Sequence, residues 1–330
     1  MKIPNEEHQM NDVPLHAPMT RATFLRLAMA GTFALGTGIG GRALSATQGA
    51  AMNPQRMHTR PIPSSGEALP VIGCGTWQTF DVGAGSDEHA PLAEVLRILF
   101  EAGGSVIDSS PMYGRSEAVV GELLKQAGMH DKAFVATKVW TRGRDAGIRQ
   151  MRESMKLLQD ERIELMQIHN LVDWRTHLKT LRGWKQEGRI RHLGITHYTA
   201  SAYDELEAIM RAEPLDFVQL NYSLAEREAE ARLLPLAADR GIAVLVNQPF
   251  GGGRLLRDLA GTPLPPWAKD IECETWAQIL LKYVLGNPAV TCAIPGTSRP
   301  KHMVDNCRAG MGALPDTAMR KKMAAFWAQR

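Results

Sequence analysis

Residues 92–108 read LAEVLRILFEAGGSVID, and residues 109–138 continue SSPMYGRSEAVVGELLKQAGMHDKAFVATK. Leu92, Val95, Leu96 and Leu99 recur at the i, i+3, i+4, i+7 spacing of a helix with one buried face, predicting a helix over Leu92–Ala102. A short β-rich run, Ser105–Asp108, follows. A second helical pattern over Glu117–Ala127 leads to a second β-rich run, Ala133–Thr137. A strand, a helix and a strand in this order imply parallel pairing, because a parallel crossover needs a covering helix.

The alternation extends in both directions. Further strands are expected at Val71–Gly75, Leu165–Ile168, Ile190–Ile195, Phe217–Leu220, Ile242–Val246 and Val290–Ile294. Helical patterns lie between them, at Ile148–Gln159, Thr176–Glu187, Ala202–Arg211, Ala229–Arg240 and Thr275–Leu285, and a last one at Thr317–Gln329 ends the chain. Eight strand–helix units close naturally into a (β/α)8 TIM barrel spanning residues 60–330. An open doubly wound sheet is the alternative, but no GxGxxG follows the first strand, so the dinucleotide fingerprint of that fold is absent. Ahead of the barrel, Ser64-Ser65-Gly66 separates Arg60–Pro63 from Glu67–Val71, a β-hairpin pattern placed to plug the N-terminal end of the barrel.

In such a barrel the chemistry sits at the C-terminal ends of the strands. The second strand ends at Asp108, with Tyr113 in the loop beyond it. The third is followed by Lys138 and the fourth by His169. Each alone has a bland reading as a cap, a solvated cation or a structural imidazole. Together they form a proton-transfer set. A tyrosine ionises near ~10, and a lysine cation beside it favours the phenolate. A buried lysine keeps its charge only when paired, and Asp108 supplies the partner. A histidine can hydrogen-bond a carbonyl oxygen. The set suits protonation of an alkoxide as it forms, or removal of a proton from an alcohol. None of the four can deliver a hydride, so a nicotinamide cofactor is required.

The segments Asp108-Ser109-Ser110-Pro111-Met112-Tyr113-Gly114, TKVW (137–140) and QIHN (167–170) resemble the catalytic segments of the aldo-keto reductase superfamily. So do GCGTW (73–77), QLNYS (219–223) and IPGTS (294–298) with Asp305-Asn306, in order over roughly residues 60–310. The resemblance implies an NADP(H)-dependent oxidoreductase acting on small carbonyl substrates. Tyr113 would be the general acid, tuned by Lys138 and Asp108, with His169 orienting the carbonyl. Asn170, Thr196, His197 and Gln219 would hold the nicotinamide carboxamide. Gly296, Thr297, Ser298, His302 and Asn306 would meet the adenine-phosphate end, and Trp77 and Trp140 would wall the substrate pocket.

Two departures from the family pattern stand out. Asn247-Gln248-Pro249-Phe250 replaces a segment that usually carries a tyrosine stacked on nicotinamide, leaving Asn247 hydrogen bonds, Pro249 and Phe250 to hold the ring. Gly296 and His302 stand where a lysine and an arginine often bind the 2′-phosphate of NADP, with Arg299 and Lys301 nearby, so NAD(H) is not excluded. The run beginning at Gly251 (GGGR, 251–254) offers backbone amides for the cofactor pyrophosphate, or else forms a flexible loop. The same fold admits a cofactor-binding regulatory or scaffold protein, and Lys138 would also suit a Schiff-base lyase or hydrolase.

Residues 1–51 differ in character from the rest of the chain. A polar start leads to Thr20-Arg21-Ala22-Thr23-Phe24-Leu25-Arg26, then a Gly/Ala-rich apolar stretch and small residues. These are the parts of a cleavable export leader. The apolar stretch is shorter than the ~20 residues of a membrane span, so no stable membrane insertion is expected. The segment resembles a twin-arginine signal, with Ala22 in place of the second arginine. This implies export machinery as a partner and a periplasmic or otherwise exported protein; a disordered tail on a cytoplasmic protein is the alternative.

The formal charge of +3 without a dense basic block argues against nucleic-acid binding. No Cys/His pattern calls for a metal. Cys74, Cys273, Cys292 and Cys307 read as small buried apolar residues, and their spacing does not pair them.

Overall fold

The structure, a computed structural model, describes residues 56–329. The expected leader, residues 1–51, lies outside the described residues. The chain first forms an antiparallel hairpin of β1 (Thr59–Pro61) and β2 (Ala68–Pro70), with Arg60 opposite Leu69. Eight parallel strands follow in sequence order: β3 (Cys74–Gly75), β4 (Val106–Asp108), β5 (Phe134–Val139), β6 (Ile163–His169), β7 (Ile190–Thr196), β8 (Phe217–Asn221), β9 (Ala243–Asn247) and β10 (Cys292–Ala293). Single bridges, Ile72 to Ala293 and Gly75 to Gly296, join β10 back to β3. The ring is thus closed as a (β/α)8 barrel.

The helices are α1 (Ser86–Glu101), α2 (Ser116–Ala127), α3 (Arg144–Leu158), α4 (Trp174–Gln186), α5 (Tyr203–Ala212), α6 (Leu233–Arg240), α7 (Arg254–Asp258), α8 (Trp276–Leu285), α9 (Pro300–Ala309) and α10 (Thr317–Ala328). The helix α1 starts before its expected Leu92 and takes in Pro91. Pro91 is the sixth residue of the helix, past the first amides that have no intrahelical partner, so it removes the hydrogen bond its amide would give the Asp87 carbonyl. The first and last barrel strands are shorter than expected, and their outer residues meet only through the bridges that close the ring.

Period-two alternation sorts the strand residues. Val135, Val139, Met166, Ile168, Val218, Leu220, Val244 and Val246 point outward into one core shared with the helices. Val106, Phe134, Leu165, Phe217, Ala243 and Leu245 point inward and form a second core. Ile62 and Leu69 from the hairpin complete that inner cluster, so the hairpin plugs the barrel floor. Arg60 fixes the plug. Its guanidinium donates to the carbonyls of Leu285, Asn287 and Val290, the C-terminal end of α8 and the approach to β10.

The inward positions change character toward the other end. Phe134 is followed two residues on by Ala136 and then Lys138, Leu165 by Gln167 and His169, and Phe217 by Gln219 and Asn221. The polar residues at the upper turns of the strands converge at the mouth. All four cysteines are buried, as expected, and free. Among the described residues no helix is long and apolar enough to cross a membrane.

Candidate active site

The strand ends open into a cleft of about 1010 Å³. Asp108 and Lys138 lie at its base, almost wholly buried, with Lys138 Nζ 2.7 Å from Asp108 Oδ2 and 2.6 Å from the Ser109 carbonyl oxygen. The Lys138 ammonium also stands 5.0 Å from the centroid of the Tyr113 ring. The Tyr113 and His169 rings meet edge to face at 5.8 Å, and Trp140 tilts over His169 at 6.2 Å. The four residues expected to form the reaction centre are therefore brought together. Asp108, Tyr113 and His169 line the cleft, while Lys138 stands behind them.

The electrostatics follow from burial. Burial works against the Lys138 cation, but Asp108 and Tyr113 more than offset it and hold its pKa above the ordinary lysine value. Tyr113 differs from the sequence expectation. Burial and the Asp108 charge outweigh the pull of Lys138 toward the phenolate, and the Tyr113 pKa lies above the ordinary value. The phenol is thus held protonated. Burial, with the nearby Lys138 and His197, pushes the His169 pKa down to about 3, so the ring is neutral.

Some residues here escaped the sequence reading. The Ser110 hydroxyl lies 3.0 Å from His169 Nδ1. Gln167, fully buried, donates through Nε2 to Asp108 Oδ1 at 3.1 Å. Tyr198 lines the cleft, half exposed, with its ring stacked parallel to His197 at 5.4 Å. Gln167 stands two positions before His169 on the same face of β6, while Ser110 and Tyr198 lie two positions beyond the last residues of β4 and β7. Alternation puts Gln167 on the inward face of its strand but does not by itself give the amide a role. Trp276 lines the cleft from the start of α8, where strand-end reasoning does not reach, and Asp305 of the phosphate segment lines it from within α9.

Gln219 is occupied differently from the expectation. Its Nε2 donates to Asp108 Oδ1 at 2.8 Å and to Gln167 Oε1 at 3.3 Å; its Oε1 accepts from Thr196 Oγ1 at 3.2 Å and Asn247 Nδ2 at 3.4 Å. Its amide is thus engaged by the protein. By contrast, Asn170 Oδ1 and Asn247 Oδ1 are buried and have no hydrogen-bond partner. Both asparagines line the cleft. A buried acceptor without a donor is costly, and the two amide oxygens suit the NH2 of a carboxamide. That is the fit expected for nicotinamide.

Of the remaining expected residues, Trp77, Trp140, Thr196, Pro249, Phe250, Gly296, Thr297, His302 and Asn306 line the cleft. Trp77 and Trp140 are 49% and 41% exposed, so they are walls of the cleft and not core. His197, Gly251 and Ser298 do not line it, nor do Arg299 and Lys301. The glycine run forms a turn in which Gly251, Gly252 and Gly253 take left-handed φ of 57, 62 and 83°, a conformation open to glycine. The Gly251 and Gly253 amides donate to the Gln248 and Phe250 carbonyls at 2.8 and 3.0 Å. Two of the amides expected to cradle a pyrophosphate are therefore used within the turn.

A closed barrel with a tyrosine, a lysine–aspartate pair and a neutral histidine at its mouth defines a class of barrel oxidoreductases. The sequence matches the aldo/keto reductase family over residues 71–324, and the chain belongs to that family. It is 29% identical over 205 residues to aldo-keto reductase YhdN of Bacillus subtilis, a match covering 58% of this chain and 61% of that protein's length. It is 27% identical over 258 residues to methylglyoxal reductase YeaE of Escherichia coli, covering 76% of this chain and 89% of that one. An aldo-keto reductase from Klebsiella pneumoniae, solved in complex with NADPH, superposes with a TM-score of 0.70 at 25% identity, covering 82% of this chain and 95% of that one.

Proposed function

We propose that the protein reduces the carbonyl of a small aldehyde or ketone with NADPH, and runs the reverse oxidation of an alcohol. The observation that carries this reading is the protonated, buried Tyr113 beside a Lys138–Asp108 pair in a cleft with two open amide acceptors. Asn170 and Asn247 would hold the carboxamide, and Thr297, His302 and Asn306 would meet the phosphate end. The nicotinamide supplies the hydride. The neutral His169 ring accepts a hydrogen bond from the Ser110 hydroxyl on Nδ1, keeps its own proton on Nε2 and, through that N–H, gives the carbonyl oxygen a hydrogen bond without transferring the proton. Tyr113 transfers its phenolic proton to the same oxygen as charge develops there, and Lys138 steadies the phenolate left behind. Trp77, Met112, Trp140 and Tyr198, the exposed apolar side chains of the mouth, form the substrate wall.

Loss of NADPH absorbance in the presence of a panel of aldehydes tests the reading, with NADH run in parallel. Tyr113→Phe is expected to lower kcat by roughly 10²–10⁴-fold and leave NADPH binding by fluorescence titration intact. Tight cofactor binding with no turnover of any carbonyl would remove the proposal. Residues 1–51 are further proposed to be an export leader; an intact Met1 on protein recovered from a cytoplasmic fraction of the native host would exclude that.

A further inference from the structure

Asp108 receives more hydrogen bonds than a lysine pair requires. Oδ2 takes Lys138 Nζ, while Oδ1 takes two side-chain amides, Gln167 at 3.1 Å and Gln219 at 2.8 Å. Gln167 sits directly beside Lys138 in the parallel register of β5 and β6. It is fully buried and does not touch the cleft. Its Oε1 accepts the second amide hydrogen of Gln219, which locks the two amides to each other and to the carboxylate. We propose that Gln167 is a positioning residue that sets the proton affinity of Tyr113 by drawing charge from Asp108. The inference rests on Tyr113 being the proton donor proposed above.

The direction follows from the charges around the phenol. Tyr113 faces the Lys138 cation from β5, the Asp108 carboxylate from β4 and the neutral His169 ring from β6. Lys138 lowers its pKa and Asp108 raises it. The buried Glu117 of α2, hydrogen-bonded by Thr137 and Ser154, stands on the far side of the strand and interacts with Lys138. An amide hydrogen on Oδ1 spreads the Asp108 charge. Without it, the carboxylate holds Lys138 more strongly and repels the phenolate more. Tyr113 then becomes a weaker acid.

Gln167→Leu, which removes the amide and keeps an apolar side chain of similar bulk, provides the test. The ultraviolet tyrosinate titration of Tyr113, taken as the difference from Tyr113→Phe, should move upward by about one pH unit. The alkaline limb of carbonyl reduction should move by the same amount, because reduction needs the phenol. Alcohol oxidation below that limb should fall about tenfold, since one pH unit of pKa is a factor of ten in phenolate. NADPH affinity and KM should stay at the wild-type values.

A uniform fall in kcat at every pH, with an unmoved titration, would show that Gln167 only packs, and would overturn the proposal. If Gln167→Leu does not fold, Gln167→Met is read in the same way. The tyrosinate titration needs no turnover. A moved titration in a protein that reduces no carbonyl would therefore sink the proposed function and leave this inference standing, and an unmoved titration in an active enzyme would do the reverse.

Discussion

The two ends of the barrel treat polar groups in opposite ways. At the floor, the Arg60 guanidinium meets the carbonyls of Leu285, Asn287 and Val290, and the plug residues Ile62 and Leu69 are sealed in the inner core. Asp216, beside β8, likewise takes both Lys185 Nζ contacts and the Leu193 amide. At the mouth, Asn170 and Asn247 bury acceptors without donors, and Gln78, Asn170, Leu171 and Gln248 hold left-handed backbone that non-glycine residues rarely adopt. Backbone of this kind costs on the order of 1–3 kcal/mol per residue and persists where surrounding structure enforces it. The floor gives these strong polar groups partners inside the chain. The mouth keeps groups waiting for a partner from outside. One floor-side residue breaks the pattern: His192, stacked on Phe134, is buried with neither ring nitrogen hydrogen-bonded, and its pKa is pushed down by burial.

Removing the cation from the mouth should break this contrast most severely. Lys138→Met leaves the buried Asp108 carboxylate without its counter-charge, and the expected loss is ~3–5 kcal/mol of unfolding free energy, read by urea denaturation, together with loss of carbonyl reduction. Acid provides the next largest effect. An unfolded imidazole binds a proton near ~6.5, whereas the buried His169 does so only near about 3. Between those values the unfolded state holds a proton that the folded state does not. The stability present above about pH 6.5 is therefore lost as pH falls, by an amount on the order of a few kcal/mol. His169→Asn does not titrate, so its urea midpoint should fall less between pH 7 and pH 4.5 than that of the wild type. Equal falls would place the acid sensitivity elsewhere, with His192 the next residue to replace.

How far the sequence reached is uneven, and the reasons are physical. The fold was legible because short β-rich runs alternate with amphipathic helical patterns along the chain. The four residues of the reaction centre were legible because each ends a strand or opens the loop after it. Gln167 was not, because a glutamine inside an apolar strand has no chemistry of its own and matters through Asp108, fifty-nine positions away in sequence. The fate of Gln219 was missed for a related reason: its four hydrogen-bond contacts come from β4, β6, β7 and β9, and only the closed barrel assembles them. The raised acidity threshold of Tyr113 required knowing how deeply the ring is buried, which residue types alone do not state.

A smaller effect should sharpen the floor side. Arg60→Ala removes charged donors from three carbonyls at the barrel rim. Hydrogen bonds to charged groups contribute ~1.5–3 kcal/mol; water can reach part of this site, so a net loss of about 2 kcal/mol is expected in urea. The kcat and KM for an aldehyde should stay at wild-type values, because the plug lies at the end opposite the cleft. A fall in kcat without a fall in stability would mean that the plug shapes the mouth through the strands.

The smallest stability effect belongs to the mouth wall. Trp140 is 41% exposed, and its backbone is pinned on both sides by Gln150, whose Oε1 accepts the Trp140 amide at 2.6 Å and whose Nε2 donates to its carbonyl at 3.3 Å. The indole can therefore be removed without releasing the chain. Trp140→Ala should change unfolding free energy by no more than ~0.5 kcal/mol. An aromatic aldehyde should nonetheless lose the contact with the ring, worth ~0.5–1.5 kcal/mol, and show a KM higher by roughly two- to tenfold. A small aliphatic aldehyde, which has no ring to stack on the indole, should show little change. Equal effects on both substrates would mean that Trp140 acts by holding His169, its neighbour at 6.2 Å, and not by touching what binds.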